Sequence, residues 1–293
     1  MQAFRKLNAN LHLFMAVPAI LLFGIFFIYP LTQGIGISLT DSNGITTPNF
    51  IGFNNFIDFF HDDRATTDVK NTMLFALGSA PLLNVFGLLY ALLLDRKMAG
   101  KGIVRTIVYL PAVISPLIMG YIWYFILQPE RGYIPHVLRE LGLGHWDVNW
   151  LGESSSALVV LVLVNVWQYV GLTMIVYLAG LQSIPPELYE AARIDGAGNR
   201  SSLWHITLPL LYPAIKINVV TNIIGSLSVF DIIVALTDGG PGYSTESLSI
   251  YILRMLYGNS TGYSTAVALI MFIIIIVPVV VFLQLTRKRE YEL

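Results

Sequence analysis

Residues Ala157–Leu181 read ALVVLVLVNVWQYVGLTMIVYLAGL and lead almost directly into Ile184–Pro213, IPPELYEAARIDGAGNRSSLWHITLPLLYP. The first stretch holds no charged side chain. At about 1.5 Å per residue it is long enough to cross the roughly 30 Å of bilayer hydrocarbon as one helix. The second stretch is the one long polar interruption between two very apolar segments. That contrast decides the class: charge-free runs of about 20 residues joined by polar connections make an integral membrane protein.

Composition agrees. Hydrophobic residues make up 55% of the chain, charged residues 12%, and the mean hydropathy is +0.68. A soluble domain carries about 25% charge. Six runs qualify as spans, at about 11–34, 72–94, 103–127, 157–181, 208–236 and 264–285. Their length predicts helices, because barrel strands are only about 10 residues long and lipid-facing backbone of this length pairs internally only as a helix. The expectation is an all-α integral membrane protein with six transmembrane helices in a single domain, 1–293. Leu11–Tyr29 follows Arg5 and Lys6 and is too long for a secretory h-region, so it reads as a retained first span.

Basic residues set the orientation. Arg5, Lys6, Arg96, Lys97, Lys101, Arg105, Arg193, Arg200, Lys216, Arg287, Lys288 and Arg289 fall on one side, 12 in number, against five on the other: Arg64, Lys70, Arg131, Arg139 and Arg254. Both termini and the 184–207 connection are therefore expected in the cytoplasm. The opposite loops carry acids, among them Asp41, Asp62, Glu130 and Asp147. Prolines 111 and 116 predict a kink in the third span. Ile134, Val137, Leu138 and Leu141 have the spacing of a short amphipathic helix at the outer surface.

Several chemistries are excluded. The chain has no cysteine, so it has neither disulfides nor thiolate catalysis. His12, His61, His136, His145 and His205 show no metal spacing. A net charge of −1 gives no footprint for nucleic acid. No nucleophile–base–acid arrangement is present. There is no Walker pattern either: Gly100-Lys101 is followed by Gly102 rather than Ser or Thr. If ATP drives this chain, another polypeptide hydrolyses it.

Three places concentrate polar or special residues. In the 184–207 connection, Pro185 and Pro186 end one span and open a short helix to about Ile194. Glu187 complements the dipole of that helix. Ala191 and Ala192 keep one face slim, Glu190 and Asp195 present carboxylates, and Gly196 permits a sharp reversal. Pro209 fixes entry into the fifth span. Along that span, Asn218, Thr221, Asn222, Gly225, Ser226 and Ser228 share one arc of a helical wheel, with Asp231 beside it. Ionisable groups at membrane depth cost about 2.5–3.5 kcal/mol at the centre and generally face a bundle interior or cavity. Asn165, Trp167, Gln168 and Tyr169 place amides and aromatic rings near the middle of the fourth span, a set that suits a neutral polyol. Asn84 is a weaker candidate in the second. For all of these amides, interhelical packing is the competing reading. Finally, Gly239-Gly240-Pro241 dictates a fixed turn at the far mouth of the fifth span.

Glu190, Ala191, Ala192, Gly196, Ile206, Leu208 and Pro209 reproduce the spacing E-A-A, three residues, G, nine residues, I-x-L-P. This resembles the cytoplasmic loop of permease subunits of binding-protein-dependent ABC importers. Leu236-Thr237, Gly239-Gly240-Pro241 and Thr245 resemble the L-T-x-G-G-P-x-x-x-T signature of the carbohydrate importers of the maltose and glycerol-phosphate type. The resemblance covers nearly the whole chain and is closest to the first of the two permease subunits. It implies the type I importer permease fold, a second homologous permease, two ATPase subunits that use ATP and Mg, and an external solute-binding protein. It places the chain in the plasma membrane of a bacterium or archaeon and makes it a transport subunit without catalytic residues, working by alternating access. The short amino terminus and compact outer loops depart from the maltose type, so maltose itself is not carried over. A non-sugar solute such as glycerol phosphate or a peptide, and a secondary transporter, stay open as alternatives.

Overall fold

Apolar runs of this length bury their own hydrogen bonds as helices, and the computed structural model is helical throughout. It describes residues 16–96, 98–129, 131–143 and 149–287. Among them the only β pairing is a single antiparallel bridge between Thr40 and Phe50. Arg5, Lys6, Lys97, Glu130, Asp147, Lys288 and Arg289, which enter the charge reading, lie outside the described residues, as do His12, His145 and the first residues of the 11–34 span.

In chain order the helices are α1 (Ala16–Ser38), α2 (Asn54–His61), α3 (Asp63–Asp95), α4 (Lys101–Val113), α5 (Pro116–Leu127), α6 (Tyr133–Glu140), α7 (Ser154–Gln182), α8 (Pro186–Ile194), α9 (Asn199–Leu210), α10 (Tyr212–Leu227), α11 (Asp231–Leu236), α12 (Leu248–Tyr257) and α13 (Thr261–Thr286). Four of them, α1, α3, α7 and α13, are long and apolar enough to cross a membrane alone. Six crossings result only if each of two bent pairs counts as one.

Those two pairs are where the structure departs from the expected spans. The 103–127 run is not one kinked helix but two, α4 and α5, set at 98°. Ile114 and Ser115 both have extended ψ values, 138° and 133°. The proline ring of Pro116 pushes the preceding residue out of the helical region, then opens the next helix at its first position. With 13 and 12 residues, each half is about 20 Å long or less, short of the hydrocarbon thickness. The 208–236 run is also divided. α9 meets α10 at a 66° bend, and a non-helical break at residues 228–230 separates α10 from α11.

The chain forms two compact units. One comprises Met1–Asp62 and Ile252–Met271. Within it, buried Asn55 donates from Nδ2 to the carbonyls of Ser38 and Thr40, at 2.7 and 2.9 Å. Asp41 accepts from the Asn49 side chain and backbone N–H, which hold its carboxyl below the usual range. The Gly262 N–H reaches the Ser42 carbonyl at 2.8 Å. No residue in the most apolar stretch of α1 is buried.

The other unit comprises Asp63–Tyr251 and Phe272–Leu293, with α7 at its centre. One apolar cluster joins Phe75 and Leu83 of α3 to Val160, Leu161 and Val164 of α7 and to Ile232, Ile233 and Leu236 of α11. A second joins Ala91 and Leu94 of α3 to Leu178 and Leu181 of α7, with Ile184, Leu211 and Ala214. Early residues of α3 therefore meet early residues of α7, and late meet late, so the two helices run in the same direction. The 184–207 connection leaves at the end where α3 finishes, about 50 Å of helix from where α3 begins. There Arg105 Nη2 donates to the Leu94 carbonyl at 3.0 Å, satisfying one of the free acceptors at the end of α3. Lipid tails are as apolar as leucine, so close backbone approach rather than water exclusion holds such helices together. At Gly171 α4 crosses α7 so closely that a Cβ would overlap the Val108 carbonyl oxygen.

Candidate functional site

Three parts of the larger unit carry the candidate residues. The first is the loop after α7. Pro186 occupies the first turn of α8 with Glu187 beside it, and Arg193 falls in the last turn, so both helix ends are charge-complemented. The helix closes with N–H bonds from Asp195 to Ala191, Gly196 to Arg193 and Ala197 to Ala192, at 3.0, 3.1 and 2.8 Å. Gly196 at φ +79° takes the left-handed turn that ends it. Glu187, Glu190, Ala191, Asp195 and Gly196 are exposed; Ala192 and Pro209 are half-buried. Two large apolar side chains also stand in the open, Ile194 at 87% and Trp204 at 61% exposure. The loop is nevertheless rooted: Tyr189 and Ile206 pack on the second apolar cluster, and the Tyr189 hydroxyl meets buried Thr207 Oγ1 at 3.1 Å.

The second part is a cavity of about 260 Å³ between α5, α7, α10 and α11. Asn165, Tyr169 and Thr173 of α7 line one side. Thr221, Asn222, Gly225 and Ser226 of α10 line the other, and Ser228 to Asp231 close it at the break. The break matters chemically: it exposes Asp231, the first residue of α11, to the cavity. Asn222 Nδ2 donates to Thr173 Oγ1 at 3.3 Å, which holds the amide in place. The wall thus presents two amides, several hydroxyls, a phenol and a carboxylate.

The structure brings Asn165, Tyr169, Asn222, Ser226 and Asp231 together and leaves Trp167, Gln168 and Asn218 out. On α7 the three- and four-residue spacing keeps Asn165, Tyr169, Leu172 and Thr173 on one face, whereas Trp167 turns away and packs edge-on against Trp123 at 5.4 Å. Gln168 is fully buried and donates to the Ile114 carbonyl at 3.1 Å, a group freed by the α4–α5 break. Asn218 is buried and donates to the Thr173 carbonyl at 3.1 Å. Asn84 accepts from the Tyr177 hydroxyl at 2.7 Å. Their amides do the work of interhelical hydrogen bonds.

The third part is the turn after α11. Gly239 has φ +80° and the Gly240–Pro241 peptide is cis. Thr245 ties the turn to itself through the Gly240 carbonyl at 2.7 Å and the Thr237 hydroxyl at 2.8 Å. Arg64 and Glu246, which no motif singles out, pair here: Arg64 Nε and Nη2 donate to the two carboxylate oxygens at 2.8 and 3.0 Å. Among the described residues, no group of three or more His, Asp or Glu is placed to hold a metal ion.

These features have close relatives. The family described as binding-protein-dependent transport system inner membrane component matches residues 83–290. The chain is 35% identical over 277 residues to the probable starch degradation products transport system permease protein AmyD of Thermoanaerobacterium thermosulfurigenes, with 94% of each chain covered. It is 35% identical over 279 residues to the multiple sugar-binding transport system permease protein MsmF of Streptococcus mutans, covering 94% of this chain and 95% of the other. A chain in the crystal structure of a bacterial alginate ABC transporter in complex with alginate pentasaccharide-bound periplasmic protein superposes with a TM-score of 0.83, at 27% identity and 98% coverage of both chains. The match spans most of the residues that build the loop, the cavity and the turn, and the chain belongs to the family of inner membrane components of binding-protein-dependent transport systems.

Proposed function

We propose that the chain is one of two membrane-spanning permease halves of an ATP-driven importer that takes up a sugar or oligosaccharide by alternating access. The observation that carries this reading is the pairing of an exposed, firmly rooted docking helix with a polar cavity on the same central helix. α8 follows α7 at one end, and α7 forms one wall of the cavity. A push on α8 is thereby delivered to the helix that binds solute. Glu187, Glu190, Ala191, Ala192, Asp195, Gly196 and Pro209 form the surface for one of two ATPase subunits, which bind ATP and Mg. This chain contributes no catalytic residue.

In this reading six crossings place both termini in the cytoplasm of a bacterial or archaeal cell, with each bent helix pair completing one crossing. A second, homologous permease supplies the other half of the pathway. A solute-binding protein seats on the opposite side, near Gly239, Gly240 and Pro241. Binding energy differing between the inward-open and outward-open states is what moves the equilibrium. For the solute, the amides of Asn165 and Asn222, the hydroxyls and the Tyr169 ring suit a polyhydroxyl compound, and relatives named for starch products, multiple sugars and alginate agree with that class.

The test is reconstitution with ATPase and solute-binding partners, screening sugars, peptides and phosphate esters for stimulated ATP hydrolysis. Stimulation by sugars alone is expected. Stimulation by peptides alone would replace the solute class, and proton-driven uptake without any ATPase would sink the importer reading. Asp231→Leu removes a carboxylate that supplies charge-assisted hydrogen bonds, each contributing about 1.5–3 kcal/mol. Uptake should fall about tenfold or more while the subunits still co-purify. Wild-type uptake kinetics would remove Asp231 from the pathway.

A further inference from the structure

The segment between α11 and α12 is bolted at both sides within three consecutive residues. Glu246 is fully buried and holds the Arg64 guanidinium with both oxygens, at 2.8 and 3.0 Å. The same guanidinium lies 3.7 Å from the centre of the Tyr243 ring. Asn71 Nδ2 donates to the carbonyls of Tyr243 and Glu246, and the Leu248 N–H donates to Thr72 Oγ1 at 2.9 Å. These bonds fasten the turn to the first residues of α3. Between Glu246 and Leu248 lies Ser247, also fully buried, whose hydroxyl donates to the Val229 carbonyl at 2.8 Å. Val229 belongs to the cavity wall, two residues before Asp231.

A buried ion pair gains little net stability, because desolvation offsets most of its attraction. What a bidentate pair supplies is geometry. Here that geometry leaves the turn unable to shift without breaking the pair or drawing Val229 with it. We propose that Arg64 is a positioning residue. Through Glu246 and Ser247 it makes seating of a solute-binding protein on the Gly239–Tyr243 turn move the Val229–Asp231 break, and so gate the cavity. This rests on the importer reading above. Coupling of this kind is reciprocal: solute state in the cavity changes how tightly the turn holds its partner.

The experiment uses the complete transporter in lipid nanodiscs with its ATPase and solute-binding protein. Arg64→Met cuts the clamp, Ser247→Ala removes the bond to Val229 together with the longer one that Ser247 Oγ accepts from the Ile250 N–H at 3.4 Å, and Arg64→Lys keeps the charge. For the Met and Ala variants, stimulation of ATP hydrolysis by the binding protein should fall about tenfold, within the range of measured site-to-site couplings. Basal hydrolysis should stay near wild type, affinity for the binding protein should no longer change with solute state, and Arg64→Lys should recover part of the stimulation. Wild-type stimulation in both cutting variants would overturn the proposal. So would a fall of basal and stimulated rates in the same proportion in both cutting variants, which is the signature of a purely structural clamp. A wild-type transporter that no solute-binding protein stimulates would sink the importer reading, and the proposal with it.

Discussion

Gly196→Trp is expected to leave the permease folded and inserted and to abolish capture of its ATPase partner. The glycine has φ +79°, where an L-residue pays about 1–2 kcal/mol. Beyond that the fold loses nothing: a Cβ built at Gly196 meets no atom within 4 Å. The bonds that close α8 run between backbone groups of residues 191–197 and survive the substitution. The indole therefore projects outward, beside exposed Ile194. In the proposed docking a cleft that takes the slim end of α8 cannot admit the indole, and blocking the centre of such an interface removes several kcal/mol, more than about a hundredfold in affinity. Pull-down of the ATPase on a tagged permease, with a thermal melt of the permease alone, reads both effects. Undiminished co-purification would show that docking happens elsewhere. A collapsed melt would show that the turn matters to the fold.

How much of this was legible from sequence depends on what each signal measures. Hydropathy counts apolar residues, and α3, α7 and α13 contain the expected spans, while α1 covers the described part of the first, because the bilayer demands that count. It carries no direction. Pro111 and Pro116 therefore pointed to a kink in one helix, whereas two extended residues before Pro116 turn the chain through 98°. The break at residues 228–230 has no proline to announce it; only Asp231, an acid well placed at a helix start, hints at a new helix. A wheel drawn for a straight helix still caught Asn222, Ser226 and Asp231, since the first two precede the break and Asp231 adjoins it. It could not separate Asn222 from Asn218, because the same amide serves a cavity or a neighbouring carbonyl equally well. Gln168 was misplaced for a related reason: its partner, the Ile114 carbonyl, is free only because the third run breaks. The Arg64–Glu246 pair joins residues 182 apart. Neither side chain has a local pattern, and only the packed structure brings them together. The local shape of the 184–207 loop was legible throughout, because its proline start and glycine stop are local chemistry.

Gly171→Leu is expected to have the opposite character and prevent the permease from accumulating at all. A Cβ at Gly171 overlaps the Val108 carbonyl oxygen and stands 2.6 Å from the Tyr109 Cα. These are backbone atoms, so no rotamer change on α4 relieves the clash, and the two helices must separate. Overpacking a core costs about 1–3 kcal/mol when side chains can adjust; here they cannot, and the cost is a large share of the roughly 5–15 kcal/mol that stabilises a typical fold. The damage also spreads. Val108 packs against both apolar clusters, and the Gln168 bond to Ile114 lies one turn away on the same crossing. Moving α4 therefore loosens the cavity wall on α7 and the root of α8 together. Membrane abundance and a detergent melt should both collapse for Gly171→Leu, and ATPase capture should vanish in proportion to folded protein. Gly196→Trp should lose capture at full abundance. Normal abundance of the Gly171→Leu protein would mean that α4 and α7 stand apart at this crossing in the working molecule, and that the close approach seen here belongs to only one of its states.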